Sequence, residues 1–224
     1  MISYGRQSIN KKDISSVIKV LKSDWLTTGP EVIKFEKKIS RIVNAKYTTV
    51  VNSATSALHI ACLALGIKKN DKVWTTSNTF VSSINSALFC GAKIDLIDIN
   101  LEDFNIDVKK LHKKLKLAKK NKKLPKVLIV VHFAGHPCDL KEIYKLSKIY
   151  KFKIIEDASH ALGSIYLGSK IGSCKYSDIT VFSFHPVKMI TTGEGGSVTC
   201  NDKYIDAKVK SYRSHGIVYS NKEK

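Results

Sequence analysis

The sequence predicts an α/β fold on a mostly parallel sheet with helices on both faces. Two observations predict it. Short β-branched runs recur along the 224 residues, and amphipathic helical patterns separate several of them. The runs are also almost continuously apolar, which suits strands covered on both sides rather than strands with one wet face.

In order, Asp13–Leu21 and Val32–Val43 read as amphipathic helices around a polar turn, Ser23–Pro30, that carries an exposed-looking Trp25. Strands are predicted at Lys46–Val51, Lys72–Thr76, Lys93–Ile97, Lys126–Val131, Lys153–Glu156, Asp178–Ser183 and Gly196–Cys200. Helices are predicted at Ser56–Leu65, Ser82–Phe89, Val108–Ala118 and Leu140–Tyr150. This divides the chain into an N-terminal helical segment, residues 1–45, and a large domain, residues 46–224. In such sheets ligands bind beyond the carboxyl ends of the strands.

The composition is globular, with 43% hydrophobic and 25% charged residues. The formal net charge is +19, yet Arg6, Arg41 and Arg213 are the only arginines. Specific nucleic-acid readers lean on arginine for bidentate contacts, so the excess reads as a lysine background with no nucleic-acid partner. The dense run Lys109–Lys126 reads as a solvated helix face and loop. The five cysteines form no C-x-x-C pair, which fits neither a disulfide framework nor a zinc site and suggests a reducing compartment. The charge-free stretches Tyr47–Ile67 and Val73–Ala92 carry too much Asn, Ser and Thr for membrane spans. With no apolar leader after Met1, the expectation is a cytoplasmic protein that does not enter a membrane.

The strand ends carry the chemistry. Asn52-Ser53-Ala54-Thr55-Ser56 opens a helix with small and hydroxylated residues, either a plain N-cap or an anion site. Phe80, after the second strand, reads by itself as a core residue, with a flat face beside a planar ligand as the alternative. Asp157 ends a buried strand, where a carboxylate needs a cation or donor: either it caps the next turn or it meets a protonated ring nitrogen, with His160 close by. His132 and His136 are spaced for one helix face, but Gly135 and Pro137 break any helix there, so no metal site is expected. Lys188 follows an apolar strand and Pro186 and precedes a glycine turn. A desolvated lysine there favours the neutral amine, which can form a Schiff base with an aldehyde.

Taken together, EDASHALG, VFSFHPVK and TTGEGG, following NSATSAL in that order, resemble the DegT/DnrJ/EryC1/StrS family of sugar aminotransferases from about Tyr4 to Gly216. The resemblance implies the large domain of a fold-type-I enzyme dependent on pyridoxal phosphate (PLP). It implies that Lys188 forms the Schiff base and shuttles the proton, that Asp157 holds the pyridine nitrogen protonated, and that His160 lies near Asp157 and the ring oxygen. Phe80 would stack on the ring, and Ser53, Ala54, Thr55 and Ser183 would hold the phosphate. Tyr4, Trp25, Leu26, Thr27, Thr28 and His185 would face the nucleotide sugar.

NSATSAL, VHFAGHPCDL and FSFHPVKMITTGEGG are most similar to the branch of the family that serves pseudaminic acid biosynthesis. That implies a homodimer moving an amino group from L-glutamate to a UDP-4-keto-6-deoxy-N-acetylhexosamine. Relatives in the family that act as dehydratases replace the Schiff-base lysine with histidine, whereas this sequence keeps Lys188. Family members also continue into a smaller C-terminal domain that is absent from this chain. A second expectation is therefore a truncated, non-catalytic PLP- or partner-binding module.

Overall fold

The computed structural model describes residues 5–217. Helix α1 (Lys11–Leu21) starts at an Asn10–Asp13 capping box and buries no residue. Helix α2 (Pro30–Val43), with Pro30 preset for its first turn, buries Ile39 and Val43, and its Phe35 ring meets Phe184 edge-on at 5.1 Å. Then follow β1 (Tyr47–Val51), α3 (Ala54–Ala64), β2 (Lys72–Thr76), α4 (Ser82–Leu88), β3 (Lys93–Ile97), α5 (Val108–Lys120), β4 (Val127–Val131) and α6 (Leu140–Tyr150). The chain closes with β5 (Lys153–Asp157), a hairpin of β6 (Ile165–Tyr166) and β7 (Ser169–Lys170), β8 (Ile179–Ser183), β9 (Gly196–Cys200) and α7 (Lys203–Arg213). The expected strands and helices form, with ends shifted by at most two residues. Helix α7 and the hairpin were not anticipated.

One seven-stranded sheet runs in the order β1-β9-β8-β5-β4-β2-β3. Its pairs are parallel from β3 through β8, while β9 runs antiparallel to both β8 and β1. Apolar side chains of β4, β5 and β8 alternate between two cores. Leu128, Ile154 and Phe182 face α2, α5 and α6, whereas Ile129, Ile155 and Val181 face α3, α4 and α7. Helix α3 is apolar on most of its circumference, as befits a helix wedged between sheet and neighbours, and buries Ala57, Leu58 and Ala61 completely. Double coverage fails at one place: edge strand β3 exposes Lys93, Asp95 and Leu96, and its charged residues protect the open edge from further pairing.

Candidate active site

Five strand ends and one strand start meet in a cavity of about 630 Å³ lined by Ser53, Ala54, Thr55, Phe80, Asp157, His160, Ser183, His185 and Lys188 among others. That size is typical of a small-molecule site.

At one end lies the start of α3. Ser53 caps it, its Oγ accepting the Ser56 N–H at 3.1 Å, so the N–H groups of Ala54 and Thr55 lead the helix toward the cavity. Strand β9 passes directly beneath: a Cβ on Gly196 would lie 2.5 Å from the Ala54 nitrogen and 2.6 Å from the Ser53 carbonyl carbon. Only glycine permits that approach. Thr55 Oγ1 and Ser82 Oγ share a hydrogen bond of 2.7 Å, and Ser183 borders the same space. Helix dipole, free N–H groups and hydroxyls together suit a phosphate.

Deeper in, Asp157 is 5% exposed. Ser83 and Ser159 each donate a hydroxyl to it at 2.6 Å, and the Ser159 N–H adds a third bond at 3.2 Å. These donors fix the orientation of the carboxylate, which borders the cavity. Lys188 comes from the far wall. Its segment is folded back by the Phe184 N–H on Gly195 O, the Thr192 N–H on Phe184 O and the Lys188 N–H on His185 O. The Lys188 Nζ lies 2.6 Å from His160 Nε2. Burial holds the Lys188 amine below the ordinary lysine range, against the opposing pull of Asp157. Burial and then the Lys188 charge lower His160, again with Asp157 opposing. Burial thus shifts both the Lys188 amine and the His160 ring toward their neutral forms, beside the Asp157 carboxylate.

Phe80 is 75% exposed on the cavity wall, so the core reading of this residue is corrected: a ring of this size left in the open is available to a planar ligand. Trp25, Leu26, Thr27 and Thr28 do not line the cavity. They form the turn between α1 and α2, with Trp25 and Leu26 well exposed. Tyr4 lies outside the described residues. Gly5 is close to the cavity, since a Cβ there would sit 3.6 Å from that of Val187.

Sequence reasoning missed the groups behind the wall. Glu156, next to Asp157, points to the opposite face and accepts hydrogen bonds from Ser177, from Thr180 at 2.9 Å, and from buried His132 Nε2 at 2.8 Å. Burial disfavours a charge on the His132 ring and Glu156 favours one. The Cys138 N–H donating to Nδ1 at 3.1 Å leaves room for a ring proton on Nε2 only. The signal was present in the sequence: two adjacent carboxylates on a buried strand need partners on both faces. Ser83 and Ser159 carry no such signal. Among the described residues, no group of three or more potential ligands is placed to hold a metal ion, and no helix is long and apolar enough to cross a membrane.

Residues 7–224 match the DegT/DnrJ/EryC1/StrS aminotransferase family. The chain belongs to this family. It is 48% identical over 218 residues to a UDP-4-amino-4,6-dideoxy-N-acetyl-beta-L-altrosamine transaminase of Campylobacter jejuni, an alignment that covers 97% of this chain and 56% of that protein. Among solved structures it is similar to Helicobacter pylori PseC, an aminotransferase involved in the biosynthesis of pseudoaminic acid. The TM-score there is 0.88 at 33% identity, covering 99% of this chain and 58% of that one. A putative sugar aminotransferase of Streptococcus pneumoniae, Spr1654 in its PLP form, superposes with a TM-score of 0.82 at 29% identity, over 94% of this chain and 57% of the other. The chain spans about half the length of the curated relatives it matches. As a DegT/DnrJ/EryC1/StrS chain, it has the α/β fold of PLP aminotransferases, with its cavity at the carboxyl ends of the strands, where such sheets bind ligands.

Proposed function

We propose that this chain binds pyridoxal phosphate and serves a nucleotide-sugar aminotransferase. The amino donor is L-glutamate and the acceptor a UDP-4-keto-6-deoxy-N-acetylhexosamine, in a cytoplasmic homodimer. In this reading residues 46–224 are the cofactor domain and residues 1–45 a helical segment beside it. The observation that carries the proposal is the convergence of Lys188, His160 and Asp157 in one cavity whose opposite end is a phosphate-type helix start. The Campylobacter and Helicobacter relatives support the sugar class.

The residues present fit the cofactor. The Gly196 cradle and the Ala54 and Thr55 N–H groups suit its phosphate, Asp157 its ring nitrogen, Phe80 its face and the Lys188 amine its aldehyde. When bound, PLP supplies a pyridinium ring that takes up electron density from the carbon losing its proton. The protein's own part is to hold and move protons. Asp157, fixed by Ser83 and Ser159, keeps a proton at the ring nitrogen. Lys188 Nζ, whose charged form burial disfavours, is the base that removes the proton from the reacting carbon and returns it. His160 restricts where that amine points.

The test is borohydride reduction of protein incubated with PLP, followed by peptide mass mapping. A phosphopyridoxyl group on the Lys188 peptide, lost in Lys188→Ala, is expected. Labelling spread over surface lysines and unchanged in the variant would overturn the reading. Amine transfer from glutamate to the UDP-4-keto sugar then tests the substrates.

A further inference from the structure

Two joined turns, one of which lines the cavity through Phe133, are built with more constraint than a connecting loop requires. Phe104 has a φ of 60° and Ala134 a φ of 50°, a left-handed backbone that a bulky residue such as Phe adopts only when its surroundings impose it. Between the two turns lies Asn105, 2% exposed. Its Oδ1 accepts the Phe133 N–H at 2.9 Å and its Nδ2 donates to the His136 carbonyl at 3.1 Å, so one buried amide ties the turn before α5 to the turn after β4. The Gly135 backbone is pressed on the His160 segment, where a Cβ would come 2.5 Å from the His160 carbonyl oxygen, and Ser164 Oγ donates to Gly135 O at 2.7 Å. The outcome is a fixed pair of rings, Phe104 and Phe133, with centroids 5.9 Å apart and planes tilted by 54°. They remain 47% and 37% exposed, and Phe133 lines the cavity.

We propose that the Phe104–Phe133 pair is a preorganised shelf that takes the apolar C–H face of a hexose ring. The inference rests on the nucleotide-sugar reading above and deepens it by assigning the sugar subsite. Strained backbone and a buried amide are spent here on keeping two aromatic faces open to solvent, which packing alone does not reward. The shelf also adjoins the reacting end of the cavity: His132, next to Phe133, donates its backbone N–H to the Asp157 carbonyl at 3.1 Å. A nucleotide sugar that presents a ring carbon to Lys188 places its hexose here and its nucleotide further out. Asn78 lines the same wall as a polar neighbour for ring hydroxyls.

The test compares binding of UDP-N-acetylglucosamine and of UDP to PLP-loaded protein by calorimetry, in the wild type, Phe104→Gly and Phe133→Leu. Glycine is at home at positive φ, so Phe104→Gly removes the ring while relieving strain, and its melting temperature should stay within a few degrees of wild type. Phe133→Leu keeps apolar volume without a ring. Each variant should lose about tenfold in affinity for the sugar nucleotide, the size of an aromatic contact, with UDP affinity unchanged. Unchanged sugar-nucleotide binding overturns the shelf, and so does an equal loss for UDP, which would put the nucleotide there. Wild-type protein that loads PLP at Lys188 yet binds neither probe overturns the nucleotide-sugar reading itself, and the shelf with it.

Discussion

Lys188 Nζ and His160 Nε2 lie 2.6 Å apart, within hydrogen-bond distance of each other. Neither group is in its ordinary state, because burial lowers both. Both shifts run the same way, so at a given pH each group holds its proton less tightly than an exposed counterpart would.

That state has a pH signature. Lys188 sits below the ordinary lysine value, and Asp157 is the group that pulls it back up. PLP capture, followed by absorbance, should accelerate with pH over a lower range than for free lysine, and Asp157→Asn should move that range lower still. An upward shift would contradict the assignment. The same displacement has a sign in stability. The folded protein binds fewer protons than the unfolded chain between the lowered and the ordinary value, so stability rises with pH across that window, and Lys188→Met should flatten the rise in urea titrations.

Phe80→Ala should separate stability from binding. With 75% of the residue already exposed, unfolding free energy should change by less than about 0.5 kcal/mol. Quenching of protein fluorescence by PLP should instead report an affinity weaker by about tenfold, the size of a lost stacking contact.

Gly196→Ala should do both kinds of damage. Its methyl group would meet backbone atoms of Ser53 and Ala54, which cannot rotate away. An overpacking cost of about 1–3 kcal/mol is expected in denaturant unfolding. The start of α3 must shift to accommodate the methyl, so affinity for inorganic phosphate and PLP should fall together.

His132 and Glu156 should behave as one unit. Removing either by leucine leaves a buried polar partner unpaired and should cost about 3 kcal/mol or more. The double variant should cost clearly less than the sum of the two. Additive losses in urea unfolding would show that the contact carries no coupling.

Much of this was legible in the sequence because strands and helices of this fold differ in period and in apolar content. The small-residue start of α3, Asp157 and Lys188 stand out because each breaks the apolar pattern at a strand end. Helix α7 was harder to see. Ile205 and Val209 are its apolar stripe, set in a run of lysines that dilutes the period, although Asp202 does cap it in the usual way. Strand order and the reversed direction of β9 leave no local trace, since both depend on which edges pair. Asn105 was invisible for the same reason: its partners are Phe133 and His136, in a turn brought near only by the sheet.

Strand β1 has one neighbour in the sheet, β9, and the two are joined in register from Tyr47–Cys200 to Val51–Gly196. On the ribosome the first strand must therefore wait for the last. Until residues 196–200 emerge, β1 has no partner and α3 has no floor beneath its first turn. Pairings this distant form late, after local helices and neighbouring parallel strands. The end of the cavity at the start of α3 is thus completed only by the closing step of sheet assembly.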